Sequence, residues 1–255
     1  MSRATLALGS RSLREGYASG VLTPEEVVDE VYARIAARGD DHVWISLVPH
    51  AEARAAAAAL DPAELDRLPL YGVPFAVKDN IDAAGLLTTA ACPDFAYLAP
   101  DSAPLVGRLV AAGAVLVGKT NLDQFATGLN GTRSPYGVPG SVADPALIPG
   151  GSSSGSAVAV AAGLVSFAIG TDTAGSGRVP AALNGIVGMK PSIGLVSTTG
   201  VVPACRSLDC ASVFALSVGD GAAVLTVLAG LDLTDPWSRR LPAPRAAGHA
   251  AARCA

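Results

Sequence analysis

Histidine and cysteine are scarce in this sequence, with three and four copies among 255 residues. The cysteines have no C-x-x-C spacing, and no His/Cys cluster has the spacing of metal ligands. No basic segment followed by an apolar core opens the chain. We therefore expect a reduced, cytoplasmic protein that needs neither a metal nor an organic cofactor.

Charge is also sparse, and it is slightly negative, with a formal net charge of -4 and no dense run of Lys or Arg. Nucleic acids and anionic membrane surfaces attract basic patches, so we expect neither as a partner. The uncharged stretch 145–171 is long enough to raise the question of a membrane span. Pro149, Gly150, Gly151 and several serines interrupt it, which favours a buried loop, helix and strand.

Hydrophobic periodicity indicates helices that alternate with short strands. Thr23, Pro24 and Glu26 form a capping-box pattern that predicts a helix over 24–38. Two further helices are predicted over 51–60 and between Ser102 and Gly113, and strands over 73–77, 114–117 and 164–169. This alternation predicts an α/β fold with a largely buried sheet, although strand order stays open.

The chain, half of it apolar, is long enough to bury a sizeable core. Its composition changes after Leu241, where Pro, Ala and Arg replace the apolar periodicity. We expect one catalytic unit over 1–240 and a disordered or foreign tail over 241–255.

Two motifs in the sequence resemble known sites but lack the required context. Residues 113–120 match the phosphate-loop pattern G-x-x-x-x-G-K-[ST], yet their four middle residues are themselves predicted to form a strand. Residues 151–155 match G-x-S-x-G, which would make Ser153 a nucleophile. That chemistry needs a histidine after the serine, and only His249, in the predicted tail, follows it.

Three other segments favour a catalytic site. Lys78 ends a strand-like apolar alternation, which places an ammonium group at the end of a buried element. The segments 150–156 and 170–177 are dense in Gly, Ser and Thr, and each connects predicted core elements. Loops that connect core elements carry binding or catalytic residues more often than flexible linkers do.

Together these segments resemble the amidase signature family over about residues 22–241. The resemblance implies a central mixed β-sheet flanked by helices and a Lys78, Ser152 and Ser176 triad. It also implies an oxyanion hole from Thr173, Ala174 and Gly175 and a substrate contact from Gly128. Arg178, just after the nucleophile segment, either binds an anionic group of the substrate or braces that segment. The implied activity is hydrolysis of a small amide, without a metal.

The stretches 124–129, 134–139 and 205–210 look most like those of allophanate hydrolases, which implies allophanate as substrate. A general carboxylic amidase and a non-catalytic amidase-like scaffold are the alternatives, and a homodimer is left open. Ser154 and Ala174 replace glycines that are more usual in the family. The family's domain is considerably longer than this chain, so we expect a truncated product.

The expected chemistry suits these residues. Ser176 needs a base, and Lys78 becomes useful if its pKa falls from ~10.4 to ~7–8, a depression that burial can supply. Asp79 would oppose this if it were close, but adjacent strand residues point to opposite faces. Ser152 would relay the proton, and each backbone N–H donor to the oxyanion is worth roughly 3 kcal/mol.

Overall fold

The structure is a computed structural model that describes residues 6–240. The tail predicted over 241–255 lies outside the described residues. The helices are α1 (Ser10–Ala18), α2 (Pro24–Arg38), α3 (His50–Ala58), α4 (Pro104–Ala111), α5 (Ser154–Ala161), α6 (Arg178–Leu183) and α7 (Val218–Leu228). The strands are β1 (Trp44–Leu47), β2 (Pro74–Lys78), β3 (Leu87–Thr88), β4 (Tyr97–Leu98), β5 (Val115–Thr120), β6 (Phe167–Thr171), β7 (Val187–Met189) and β8 (Ala211–Ala215).

A six-stranded mixed sheet forms the centre, with the order β1-β5-β2-β6-β8-β7, and the short β3 and β4 pair separately. Strand β2 runs parallel to both of its neighbours, β5 and β6. The outer pairs β1–β5, β6–β8 and β7–β8 are antiparallel. The predicted α/β fold with a central mixed sheet and flanking helices is confirmed.

The predicted helix over 24–38 has the bounds of α2, and its capping box is present. The Thr23 hydroxyl accepts from the Glu26 N–H at 3.3 Å, and the Glu26 carboxylate accepts from the Thr23 N–H at 2.9 Å. The other predicted helices correspond to α3 and α4. Local sequence signals were sufficient here because a capping box begins α2, and Pro49 and Pro104 stand at the starts of α3 and α4, which have no side-chain cap.

The predicted strand over 164–169 is displaced toward the C-terminus in the structure. The Leu164 N–H donates to the Ala159 carbonyl, and Gly163 has a φ of +65°, so these residues complete the turn that ends α5. Strand β6 begins only at Phe167, where it pairs with Phe75 of β2. The two rings stack with centroids 5.3 Å apart in the sheet's core.

The segment that matched the phosphate-loop pattern is not a loop. Its residues from Val115 to Thr120 form β5, which follows α4, and Lys119 is fully buried. The Lys119 ammonium donates to the Thr88 hydroxyl at 2.9 Å and faces Asp79 Oδ1 at 3.4 Å. The lysine of a phosphate loop has to contact a bound phosphate, whereas Lys119 is buried and contacts Thr88 and Asp79.

Helix α5 carries a site segment onto the sheet. It packs against β2, β5, β6 and β8, and all but one of its residues are buried. Small side chains allow this close approach. A β-carbon at Gly155 would collide with the Val43 carbonyl, and the hydroxyls of Ser156 and Thr120 lie 2.7 Å apart.

Candidate active site

Parallel pairing of β2 and β6 brings their last residues together. Lys78 ends β2 and Thr171 ends β6, and both strands finish at the same edge of the sheet. The Lys78 ammonium nitrogen donates to the Thr171 hydroxyl at 2.6 Å. The carboxyl edge of parallel strands is where α/β folds build their sites.

Ser152 reaches the same place from the segment that leads into α5. Its hydroxyl accepts a hydrogen bond from Lys78 Nζ at 2.8 Å, and both residues are fully buried. Its carbonyl accepts from the Asp123 N–H at 3.0 Å, and the Gly151–Ser152 peptide bond is cis. The structure thus joins Lys78 and Ser152 directly, across 74 positions of sequence.

Burial changes the basicity of Lys78. Removal from water lowers the pKa of Lys78 to about 7, against opposing pulls from Asp123, Asp209 and Asp172. Burial disfavours the charged ammonium, so the neutral amine is accessible near neutral pH. A neutral amine at this position can accept a proton from a hydroxyl group.

Ser176 lies at the start of the turn that leads into α6 and is 4% exposed. Its hydroxyl lies 3.5 Å from the Gly128 carbonyl, and its own carbonyl accepts from the Ser153 N–H at 3.3 Å. Among the hydrogen bonds of residues 6–240, none joins the hydroxyls of Ser152 and Ser176 directly. The backbone contact nonetheless sets Ser176 beside the segment that carries Ser152.

A cavity of about 450 Å³ opens beside Ser176. Gly128, a predicted substrate contact, is part of its wall. Arg133 is the one charged residue among the described residues that line it. The wall consists of Ala126, Thr127, Gly128, Leu129, Asn130, Arg133, Thr173, Ala174, Ser176, Ala204 and Cys205.

The predicted oxyanion donors differ in availability, and the prediction for Gly175 is corrected. The Gly175 N–H donates to Asp172 Oδ1 at 2.7 Å, so it is already committed. Within residues 6–240, the N–H groups of Thr173, Ala174 and Ser176 donate to no protein acceptor. Thr173 and Ala174 line the cavity with Ser176, so these groups can meet a ligand there.

Arg178, for which the sequence leaves both substrate binding and bracing open, contacts the nucleophile segment. Its guanidinium donates to Asp172 at 2.9 and 3.0 Å, and its N–H donates to the same carboxylate at 3.1 Å. Burial alone would raise the pKa of Asp172, but the hydrogen bonds from Arg178 and Gly175 lower it to about 2. The fork of Arg178 matches a carboxylate, and here Asp172 occupies it.

Ser153 has a structural role that the G-x-S-x-G pattern could not reveal. Its hydroxyl donates to the Thr171 carbonyl at 3.1 Å and accepts from the Thr171 N–H at 3.3 Å. His50 pairs with Asp29 at 2.7 Å, and His249 lies outside the described residues. Ser153 ties α5 to the end of β6 rather than facing a base.

Sequence reasoning missed two residues of this site. Thr171 was recognised only as part of a loop, because nothing local indicates that β2 and β6 are neighbours. Asp123 is fully buried between loops, and its carboxylate accepts from the N–H groups of Gly131 and Arg133. In the sequence, the one local signal for Asp123 is that glycines follow it at 128 and 131, and this pattern does not by itself indicate a site residue.

The described part of the chain offers no cluster of three or more His, Cys, Asp or Glu side chains that could hold a metal ion. Across residues 6–240, each helix is too short or too polar to cross a bilayer.

Comparison with protein families places this site in a known context. The family model described as Amidase matches residues 26–253, which includes most of the segment predicted as a tail. Urea amidolyase of Lachancea kluyveri is 55% identical over 205 residues, covering 80% of this chain and 11% of that protein. A glutamyl-tRNA(Gln) amidotransferase subunit of Deinococcus deserti is 42% identical, covering 93% of this chain and 49% of that protein.

Solved structures are similar in the same way. Allophanate hydrolase of Kluyveromyces lactis superimposes with a TM-score of 0.85 at 46% identity, covering 94% of this chain and 40% of that one. Peptide amidase from Stenotrophomonas maltophilia gives a TM-score of 0.85 at 41% identity, covering 93% and 51%. The chain spans about half or less of the length of these relatives.

Proposed function

The chain belongs to the amidase family, and we propose that it hydrolyses a small amide through Ser176, with Lys78 as base and Ser152 as relay. The observation that carries this proposal is the buried hydrogen bond of 2.8 Å between Lys78 and Ser152 beside the Ser176 cavity. A lysine whose pKa lies near 7 can act as a general base at neutral pH.

In the proposed first step, neutral Lys78 takes the proton of Ser152 while Ser152 takes the proton of Ser176. The Ser176 oxygen then attacks the amide carbon, and the carbonyl oxygen becomes an oxyanion. The N–H groups of Thr173, Ala174 and Ser176 stabilise that charge, each by roughly 3 kcal/mol.

The tetrahedral intermediate collapses by breaking the C–N bond. The leaving nitrogen takes a proton from the Lys78 ammonium through Ser152, which returns the lysine to its neutral form and leaves an acyl group on Ser176. Water then attacks this ester with the same residues as base, and Ser176 is released with its proton. The cycle consumes one water molecule and regenerates each of the three residues.

We propose allophanate (urea-1-carboxylate) as the substrate, converted to ammonia and carbon dioxide. One cycle releases one ammonia and N-carboxycarbamate, which loses carbon dioxide to give carbamate, and carbamate breaks down to a second ammonia and a second carbon dioxide. Similarity to urea amidolyase and to allophanate hydrolase supports this choice. The similarity to peptide amidase and to one component of an amidotransferase supports a general carboxylic amidase as the second candidate.

The test is ammonia release by the purified chain from allophanate and from neutral primary amides. Allophanate turnover that Ser176→Ala abolishes and Ser19→Ala preserves supports the proposal, because Ser19 is an exposed residue at the end of α1. Turnover of neutral amides alone would favour the general amidase. A folded chain that hydrolyses neither would contradict the proposed activity and favour a non-catalytic scaffold.

A further inference from the structure

Asp123 is a fully buried carboxylate that connects two loops of the site. Its Oδ2 accepts from the Gly131 N–H at 3.0 Å, and its Oδ1 accepts from the Arg133 N–H at 2.8 Å. Its own N–H donates to the Ser152 carbonyl at 3.0 Å. A buried carboxylate is stable only when its oxygens accept such hydrogen bonds. The Asp123 carboxylate therefore fixes the positions of the Gly131 and Arg133 N–H groups.

The packing around Asp123 is as close as glycine permits. A β-carbon at either Gly128 or Gly151 would overlap its Oδ2 atom. Gly128 supplies the carbonyl beside the Ser176 hydroxyl, and Gly151 precedes Ser152. The Asp123 carboxylate therefore sets the spacing between the loop that borders the nucleophile and the loop that carries the relay.

Asp123 also differs from Asp172, another carboxylate that acts on Lys78, because no cationic side chain within residues 6–240 pairs with it; Asp209 shares this property. Asp172 is paired with Arg178, and Asp209 accepts from the Thr173 hydroxyl and from the N–H groups of Ala204 and Cys205. Within residues 6–240, Asp123 has no cationic side chain as partner, because Arg133 meets it only through its backbone. Lys119 does not neutralise the Asp123 carboxylate, since its ammonium group is paired with Asp79.

We propose that Asp123 is a positioning residue that fixes Ser152, the hydrogen-bond partner of Lys78, against the Gly128–Arg133 loop. Its negative charge then also acts on Lys78. Its effect on rate rests on the proposed function, but its effect on Lys78 does not. In agreement, Asp123 is the strongest of the three carboxylates that oppose the fall in the pKa of Lys78.

The direct test is a titration of the lysine side chains by NMR in ¹³C,¹⁵N-lysine-labelled full-length chain. Only three lysines are present, Lys78, Lys119 and Lys190, and Lys78→Met assigns the signal. In Asp123→Asn the pKa of Lys78 should fall by about 1 unit relative to wild type, because a nearby negative charge has been removed. Asp144→Asn, an exposed loop aspartate that accepts from the Ala146 N–H, should leave it unchanged.

Kinetics supply the second measurement. Asp123→Asn should lower kcat about 100-fold with KM within about threefold, and the acid limb of its kcat/KM profile should move to lower pH. The side-chain NH₂ of an asparagine would face one of the two backbone N–H donors and could not accept from it. Asp123→Ser is a smaller uncharged variant without this conflict, and it should also move the acid limb of the kcat/KM profile to lower pH.

An unchanged Lys78 titration in a folded Asp123 variant would overturn the inference. If neither variant folds while Asp144→Asn does, Asp123 serves the whole fold rather than this site, which also overturns it. A shifted titration in a chain that hydrolyses no amide would uphold the electrostatic role and remove only the proposed function.

Discussion

Lys78 and Asp79 are consecutive residues whose side chains enter separate hydrogen-bond networks. Lys78 donates to Ser152 and Thr171. Asp79 accepts from Thr89 and faces Lys119. Alternation at the end of β2 turns the two side chains to opposite sides. Asp79 is accordingly absent from the three carboxylates that raise the pKa of Lys78, and the lysine keeps its low basicity.

The activity should depend on pH through Lys78. A base must be deprotonated, so kcat/KM should rise with pH and level off above the pKa of about 7. Lys78→Ala should lower kcat/KM by 10³-fold or more, since the serine then has no base. The measurement is a pH–rate profile from pH 5 to 9. A profile that stays flat through pH 6–8 would contradict the role of Lys78.

Thr171 should matter through its hydroxyl group. Thr171→Val removes the acceptor of the 2.6 Å hydrogen bond and leaves the ammonium nitrogen with one fewer partner. We expect kcat to fall roughly 10- to 100-fold, because Lys78 is then less firmly oriented toward Ser152. Thr171→Ser retains the hydroxyl and should keep most of the rate. Equal losses in both variants would assign the effect to packing in β6.

Lys78 should cost the protein stability. Its pKa is lowered in the folded state, so between about pH 7 and 10.5 the unfolded chain binds more protons and stability rises with pH. The full change corresponds to about 5 kcal/mol. Urea unfolding of Lys78→Met should show a smaller rise, because the lowered pKa of Lys119 still contributes to it, and at pH 7 the variant should be at least as stable as wild type. The same pH dependence in both proteins would show that Lys78 titrates normally.

Arg178 should act on the segment it braces rather than on substrate. Arg178→Lys cannot donate two parallel hydrogen bonds to Asp172, so we expect a lower midpoint of urea unfolding than in wild type. KM should change less than about twofold. Arg67→Lys, at an exposed position, serves as the matched control. A large rise in KM without loss of stability would favour substrate binding instead.

Sequence alone predicted the elements whose signals are local. The capping box of α2 and the breakers around α4 are read within a few residues, and the α/β alternation follows from them. The bounds of β6 were missed because they depend on pairing with β2, which is more than 80 residues away. Strand order, which brings Lys78 beside Thr171, was equally inaccessible.

The site was predicted unevenly for the same reason. Lys78, Ser152 and Ser176 stand in segments whose composition is itself distinctive. The correction at Gly175 and the bracing by Arg178 depend on where Asp172 directs its two oxygens, which spacing does not specify. Asp123 works through backbone N–H groups, and these carry no residue-type signal.

We propose above all that Ser176 becomes nucleophilic because the buried Lys78 accepts its proton by way of Ser152. Labelling with a fluorophosphonate probe, followed by peptide mapping, tests this most directly. We expect modification at Ser176 in the wild-type chain, strong slowing in Lys78→Ala and Ser152→Ala, and no label at this position in Ser176→Ala. Label on Ser153 instead, or undiminished labelling of Ser176 without Lys78, would contradict it.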